Sequence, residues 1–259
     1  MSLNRRHFLN VVAAGTATSM CASLGLANRS TRSRIKAFVF DAFPIFDPRP
    51  VFALAEQLFP GQGTELSNVW RTKQFEYQWL RALAQQYVDF WRITDESLMF
   101  AADALHLNLT SDKREKLMSA YLQLKTWPDV PLALQRLRNA GGRLAILSNA
   151  TPNILEAGVK NSGLENVFDH IISTDKMKTY KPSPRAYEMA IDAFATPKDE
   201  VLFVAFAGWD AAGAKSFGYP TFWVNRLKSP NERLGFAPDG IGTSLDELIA
   251  FTKKSINLS

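Results

Sequence analysis

From Ile35 onward, short runs rich in β-branched, aromatic and other apolar residues recur along the chain: IKAFVF, GRLAILS, FDHIIST, EVLFVAFA and TFWVN. Most are apolar with little alternation, which suits strands covered on both faces. Between the later runs lie segments with apolar residues at helical spacing: DVPLALQRLRNAGG, TPNILEAGVKNSG, SPRAYEMAIDAFA and WDAAGAKSFG. Strand and helix patterns in alternation predict an α/β fold with a doubly wound parallel sheet. Gly141, Gly163 and Gly218 stand where three of these helices should stop.

The first run continues into DAFPIFDPRP, and its regularity breaks at Pro44, Pro48 and Pro50. Residues 51–127 then carry long amphipathic helical patterns and no convincing strand: GTELSNVWRTKQFEYQWLRALAQQYVDFW, TDESLMFAADALHLN and SDKREKLMSAYLQL. This reads as a helical cap domain (51–127) inserted into an α/β core formed by residues 35–50 and 128–259. Thr94 followed by Asp95 and Glu96, and Ser111 followed by Asp112, are the expected helix starts, though neither has an acid at the third position of a capping box.

Residues 1–34 read as a segment outside the fold. The pair Arg5 and Arg6 precedes a moderately apolar stretch rich in small residues that ends around Ala27, the layout of a twin-arginine export signal. A membrane-anchoring helix fits less well, because the apolar run is short and interrupted. A lipid-anchored form through Cys21 is disfavoured by the bulky Met20 before it. Export to a bacterial periplasm is the expectation, with no stable membrane anchor after cleavage. Cys21 is the only cysteine, so a mature chain cut near Ala27 carries none, in keeping with an oxidising compartment.

At 259 residues and 46% hydrophobic, the chain can bury a full core. A net charge of +5 leaves room for anionic ligands, but the basic residues are scattered, which disfavours nucleic acid as a partner. His7, His106 and His170 show no metal-ligand spacing, so no metal and no cofactor is expected.

Ligands of open α/β sheets bind beyond the carboxyl ends of the strands, where this chain collects polar residues. Asp41 follows the first run, Ser148 and Asn149 follow LAIL, Lys181 lies in KTYKPSP, and Asp210 follows VLFVAFAGW. Each alone could cap a turn or helix or be solvated. The order acid, Ser/Asn, Lys-Pro, acid along alternating β and α segments is far more specific than any one of them.

The segments VFDAF, ILSNATP, YKPSPRAYEMA and FVAFAGWDAAGAKSFGYPTFWVNR, with LSNVWRTKQFEYQWLRAL in the insertion, resemble the haloacid dehalogenase superfamily. WRTKQFEYQWLR brings the likeness to the L-2-haloacid dehalogenases. The resemblance extends over nearly all of the chain after residue 34. It implies that Asp41 attacks the carbon bearing a halogen, expels halide and leaves an ester that water hydrolyses. It also implies that Lys181 holds Asp41 ionised, that Asp210 orients Lys181, and that Arg71 receives the halide with Asn149 and the Trp209 ring. Ser148 would bind the substrate carboxylate, Phe43, Phe75 and Trp209 would wall an apolar pocket, and Tyr187 would join the substrate-binding group through the network around Lys181. Trp70, Trp79 and Tyr87 read as packing residues. The implied partners are a short 2-haloacid and halide, with a homodimer suggested by relatives.

Metal-dependent phosphatases of the superfamily place a second Asp two positions after the nucleophile, where Phe43 stands here. They also need Mg²⁺ ligands, and four residues before Asp210 this chain has Phe206. Other departures weaken the dehalogenase pattern itself. Pro44 and Ile45 replace the usual Gly-Thr-Leu, and Ala205 and Ala207 stand where a Ser and an Asn would position the hydrolytic water. A catalytically reduced protein that binds small carboxylates is therefore the second expectation, and a phosphatase the third.

Overall fold

The structure, a computed structural model, describes residues 35–255. Arg5, Arg6, Cys21 and Ala27, on which the export reading rests, lie outside the described residues.

Among the described residues, six strands form one parallel sheet in the order β3-β2-β1-β4-β5-β6. They are β1 (Ala37–Phe40), β2 (Arg143–Ser148), β3 (His170–Ser173), β4 (Val201–Ala205), β5 (Thr221–Val224) and β6 (Gly240–Gly242). Successive side chains of β1 point to opposite faces. Phe38 and Phe40 join one apolar cluster, and Ala37 and Val39 the other. On the first face lie α6 (Val130–Asn139), α7 (Pro152–Asn161) and α10 (Leu245–Ser255); on the second lie α8 (Pro184–Phe194) and α9 (Gly208–Phe217). Cover on both faces is why the strands are continuously apolar, and each fully buried Phe contributes about 1.5–3 kcal/mol. Gly141, Gly163 and Gly218 follow helices at φ of +81°, +64° and +107°, the left-handed region that glycine enters without a Cβ clash.

Between β1 and β2 come α1 (Ala42–Ile45), α2 (Arg49–Leu58), α3 (Gly63–Leu83), α4 (Phe90–Ala104) and α5 (Ser111–Ala120). The prolines do not act only as breaks. Pro44 lies within α1, Pro48 caps α2 and Pro50 lies in its first turn, where a missing N–H costs nothing. The long pattern from Gly63 to Trp91 is two helices, separated where Gln85 takes a φ of +57°.

Asp89 starts α4 by accepting a hydrogen bond from the Arg92 N–H, so Thr94 is no helix start. It lies a turn inside the helix, with its hydroxyl donating to the Phe90 carbonyl. Thr110, rather than Ser111, caps α5. Strand β6 has too little apolar pattern to announce itself, being Gly-Ile-Gly paired to β5.

Candidate active site

Strand order reverses at β1, which pairs with β2 on one side and β4 on the other, so a crevice opens beyond its carboxyl end. Asp41 is the next residue. Its Oδ2 caps α1 by accepting from the Phe43 N–H at 3.4 Å, which turns the chain away and leaves Oδ1 to face Lys181. Ser148 ends β2 and Asn149 follows it, Lys181 precedes α8, and Asp210 lies in the first turn of α9.

These loops meet at the Lys181 ammonium, which donates to Asp41 Oδ1 at 2.8 Å and to Asp210 Oδ2 at 2.6 Å. Lys181 and Asp210 are each 1% exposed, and Tyr187 donates to the remaining Asp210 oxygen at 2.7 Å. Burial pulls the Lys181 pKa down, but the Asp210 and Asp41 charges outweigh it and hold the pKa above the ordinary value. Asp210 is pushed up from 3.8 to about 6 by burial, with the Asp41 charge adding to the rise and Lys181 opposing it.

A pH dependence follows. With both acids ionised, one cation is shared between two carboxylates and Asp41 keeps more negative charge. With Asp210 protonated, Lys181 turns its whole charge on Asp41. Halide release should therefore rise with pH through an apparent pKa of about 6 and level off above it. Stability runs the opposite way. The folded pKa lies above the unfolded one, so what Asp210 contributes is present below about pH 4 and is lost as pH rises towards 6. Asp210→Asn should remove both slopes, and a rate profile unchanged in that variant would exclude Asp210 as their source.

Asp41, Lys181, Ser148 and Asn149 line a cavity of 60 Å³ with Arg71 and Gln78 of α3. Arg71, Gln74, Phe75 and Gln78 follow the i, i+3, i+4, i+7 rhythm of one helix face. Burial lowers the Arg71 pKa, and no carboxylate forms an ion pair with it among the described residues. Its guanidinium lies 5.1 Å from the Phe52 ring centre. A partly desolvated arginine without a counter-ion is a ready receptor for a small anion.

The Asn149 amide is fixed from both ends. Its oxygen accepts from the Lys181 backbone N–H at 2.9 Å and from the Thr174 hydroxyl at 3.3 Å, while its nitrogen donates to Gln78 at 2.9 Å. Gln78 is fully buried and was absent from the sequence reading. Its place seven residues after Arg71 on the same helix face was the available signal. The Ser148 hydroxyl oxygen accepts from the Ala150 N–H at 3.2 Å.

Phe43 and Phe206 pack 5.8 Å apart and both line the cavity, as do Phe75 and Trp209. Among the described residues no cluster of three or more His, Cys, Asp or Glu is placed to hold a metal ion. Ala207 borders the cavity, and Ala205 is fully buried at the end of β4.

Three expectations need correction. Tyr187 is fully buried behind Asp210 and does not border the cavity, so it steadies Asp210 rather than touching substrate. Asp210 is set back behind Lys181, whose ammonium it accepts from. Trp79 and Tyr87 do more than pack, since Trp79 donates to the Lys181 carbonyl at 3.2 Å and Tyr87 donates to Asp175 at 2.8 Å. Trp70 is the buried packing residue expected, with its N–H on the Thr94 carbonyl.

Comparison with known proteins bears on what this constellation is. The family model for haloacid dehalogenase-like hydrolases matches residues 19–218. The (S)-2-haloacid dehalogenase of Pseudomonas sp. (strain YL) is 41% identical over 216 residues, 83% of this chain and 93% of that protein. The chain belongs to the haloacid dehalogenase-like hydrolases, in their L-2-haloacid dehalogenase branch. Among solved structures, the L-2-haloacid dehalogenase RSc1362 superposes with a TM-score of 0.84 at 42% identity, covering 85% of this chain and 100% of that one. The L-2-haloacid dehalogenase of Xanthobacter autotrophicus with chloropropionic acid covalently bound gives a TM-score of 0.76 at 35% identity, over 85% of this chain and 98% of that one. In this branch the carboxylate, lysine and carboxylate row of the present chain occupies the end of the sheet where ligands of such folds bind.

Proposed function

We propose that this chain hydrolyses short 2-haloalkanoic acids to 2-hydroxy acids through an ester on Asp41. The observation that carries this is the buried ammonium of Lys181 between two carboxylates, facing a cavity whose other wall is the apolar pair Phe43 and Phe206. An Asp41 carboxylate oxygen attacks C2, the carbon–oxygen bond forms as the carbon–halogen bond breaks, and halide leaves with the electron pair. Arg71, the Asn149 amide and the Trp209 ring receive it, Ser148 binds the substrate carboxylate, and residues 51–127 serve as the cap. Water then attacks the ester carbonyl, returning the Asp41 carboxylate and releasing the hydroxy acid and a proton.

Chloride release from (S)-2-chloropropionate, undiminished by EDTA, is the expected result. Phosphate-ester cleavage that requires Mg²⁺, without chloride release, would overturn the proposal. Phe43 and Phe206 argue against that outcome, because neither can bind Mg²⁺ or a proton.

A second reading keeps the ligand and weakens turnover. Ala205 and Ala207 offer no hydrogen bond to a hydrolytic water, whereas displacement needs mainly Asp41, Lys181, Arg71 and Asn149. We expect a burst of about one halide per site and then slow turnover, the mark of an accumulating covalent intermediate. Mass spectrometry of quenched enzyme should find the adduct on the Asp41 peptide. Linear release with no adduct would dismiss the idea of a disabled second step.

Arg5, Arg6 and the small-residue stretch to Ala27 support export through the twin-arginine route to the periplasm. A reporter fused to residues 1–34 should be exported with Arg5 and Arg6 intact and retained when both become Lys. Equal export of the two would remove this reading.

A further inference from the structure

The catalytic cavity has an apolar neighbour. A groove of 930 Å³, open to solvent, runs between the end of α3, the start of α8, one side of α9, and the segment that follows β5. Its rim is apolar, with Leu83 82%, Leu234 57% and Phe236 49% exposed. Trp209 borders both spaces, so one side chain's thickness separates them at that point.

Trp79 completes this partition from the groove side. Its indole stacks on Phe75 at 5.8 Å and 18°, and meets Trp209 edge-on at 5.4 Å, while Phe75 and Trp209 touch each other at 5.3 Å. The three rings form a closed triangle with Phe75 and Trp209 facing the cavity. Trp79 is the pinned member through its bond to the Lys181 carbonyl, whereas the Trp209 indole N–H is buried with no partner among the described residues. Trp209 is thus held where it stands by ring contacts, of which the Trp79 edge contact is one, and by no hydrogen bond through its own N–H.

The sizes give this wall a consequence. At about 10–15 Å³ per water-sized occupant, the cavity takes roughly four to six such groups, the scale of a three-carbon 2-haloacid. Arg71, Asn149 and the edge of the wall at Trp209 are assigned to the halide and Ser148 to the carboxylate, which leaves the Phe75 side of the ring wall for the substrate's aliphatic substituent.

We propose that Trp79 sets the chain length of the substrate, by closing the catalytic cavity against an apolar groove able to take the tail of a longer 2-haloalkanoic acid. This rests on the dehalogenase reading. Removing the Trp79 ring frees space behind Phe75 and Trp209, lets Trp209 swing without losing a hydrogen bond, and joins the cavity to the groove.

The test is the ratio of kcat/KM for (S)-2-bromooctanoate to that for (S)-2-bromopropionate. Wild type should strongly prefer the short acid. Trp79→Ala should raise the ratio at least tenfold. Trp79→Phe, which keeps a ring but loses the bond to Lys181, should leave the ratio near the wild-type value, separating the wall from the hydrogen bond. In the Trp79→Ala background, Ser216→Trp should refill the groove and cancel the gain. Trp79→Leu gives the same reading if the alanine variant fails to fold. A wild-type ratio near one, an unchanged ratio in the folded small-residue variants, or loss of activity on both acids in folded Trp79→Ala and Trp79→Leu would each overturn the proposal. No halide from either acid in wild type would instead sink the dehalogenase reading.

Discussion

Asp41→Asn should abolish halide release, by about four orders of magnitude or more, and leave the protein folded. The substitution is nearly isosteric. Its single amide oxygen can keep the 2.8 Å bond from Lys181, and the bond given up is the long one, at 3.4 Å, from the Phe43 N–H to the other Asp41 oxygen. What it removes is the anionic oxygen, because an amide oxygen is a poor nucleophile and its nitrogen lone pair is delocalised. The local charge changes as well. In wild type the Asp41 charge helps to raise the Asp210 pKa, so in the variant Asp210 should ionise at lower pH and pair more fully with Lys181. The variant should therefore melt near the wild-type temperature while giving no halide in a single-turnover assay. Halide released at even a hundredth of the wild-type rate would show that another group makes the bond to carbon.

Lys181→Met should be as damaging to activity and should also destabilise the protein. Methionine approximates the volume of the lysine stem, so the loss is mainly of charge. Two carboxylates, one fully buried, would be left without the cation that bridges them. Removing one partner of a buried ion pair costs about 3–5 kcal/mol, which in a chain of this length is a fall in Tm on the order of 10 °C. Protonation of one acid relieves the strain. Lys181 opposes the rise of the Asp210 pKa to about 6, so without it the proton is taken up at higher pH still, and the deficit should shrink as pH falls below about 6. Thermal unfolding at pH 5 and pH 8 checks this. A variant as stable as wild type at pH 8 would mean that Lys181 is not a structural counter-ion, whatever its effect on the chemistry.

The doubly wound sheet was legible because its causes are local. A strand buried on both faces must be apolar at every position, and a helix lying on a sheet must be apolar at every third or fourth, so IKAFVF and WDAAGAKSFG carry their fates in a few adjacent residues. The places of Asp41, Ser148 and Asn149 were legible for the same reason, since each ends or directly follows a recognisable strand. Where the local signal was thin, the reading failed. The three residues of β6 have no pattern of their own, and the break between α3 and α4 depends on one residue at positive φ and one capping aspartate.

Contacts between distant positions lay beyond any local signal. Lys181 and Asp41 are 140 residues apart, and Gln78 and Asn149 are 71 apart. Whether such pairs meet depends on strand register, on helix lengths and on which way each loop leaves the sheet. For the same reason Tyr187 could be assigned to the right network but not to its place behind Asp210, and Trp79 looked like any packing residue at helical spacing. Composition and periodicity determined which residues end strands and which face of α3 is apolar. The parallel sheet, by bringing four strand ends and that helix face to one point, decided that a lysine would lie between two aspartates and that three aromatic rings would divide a small polar cavity from an apolar groove.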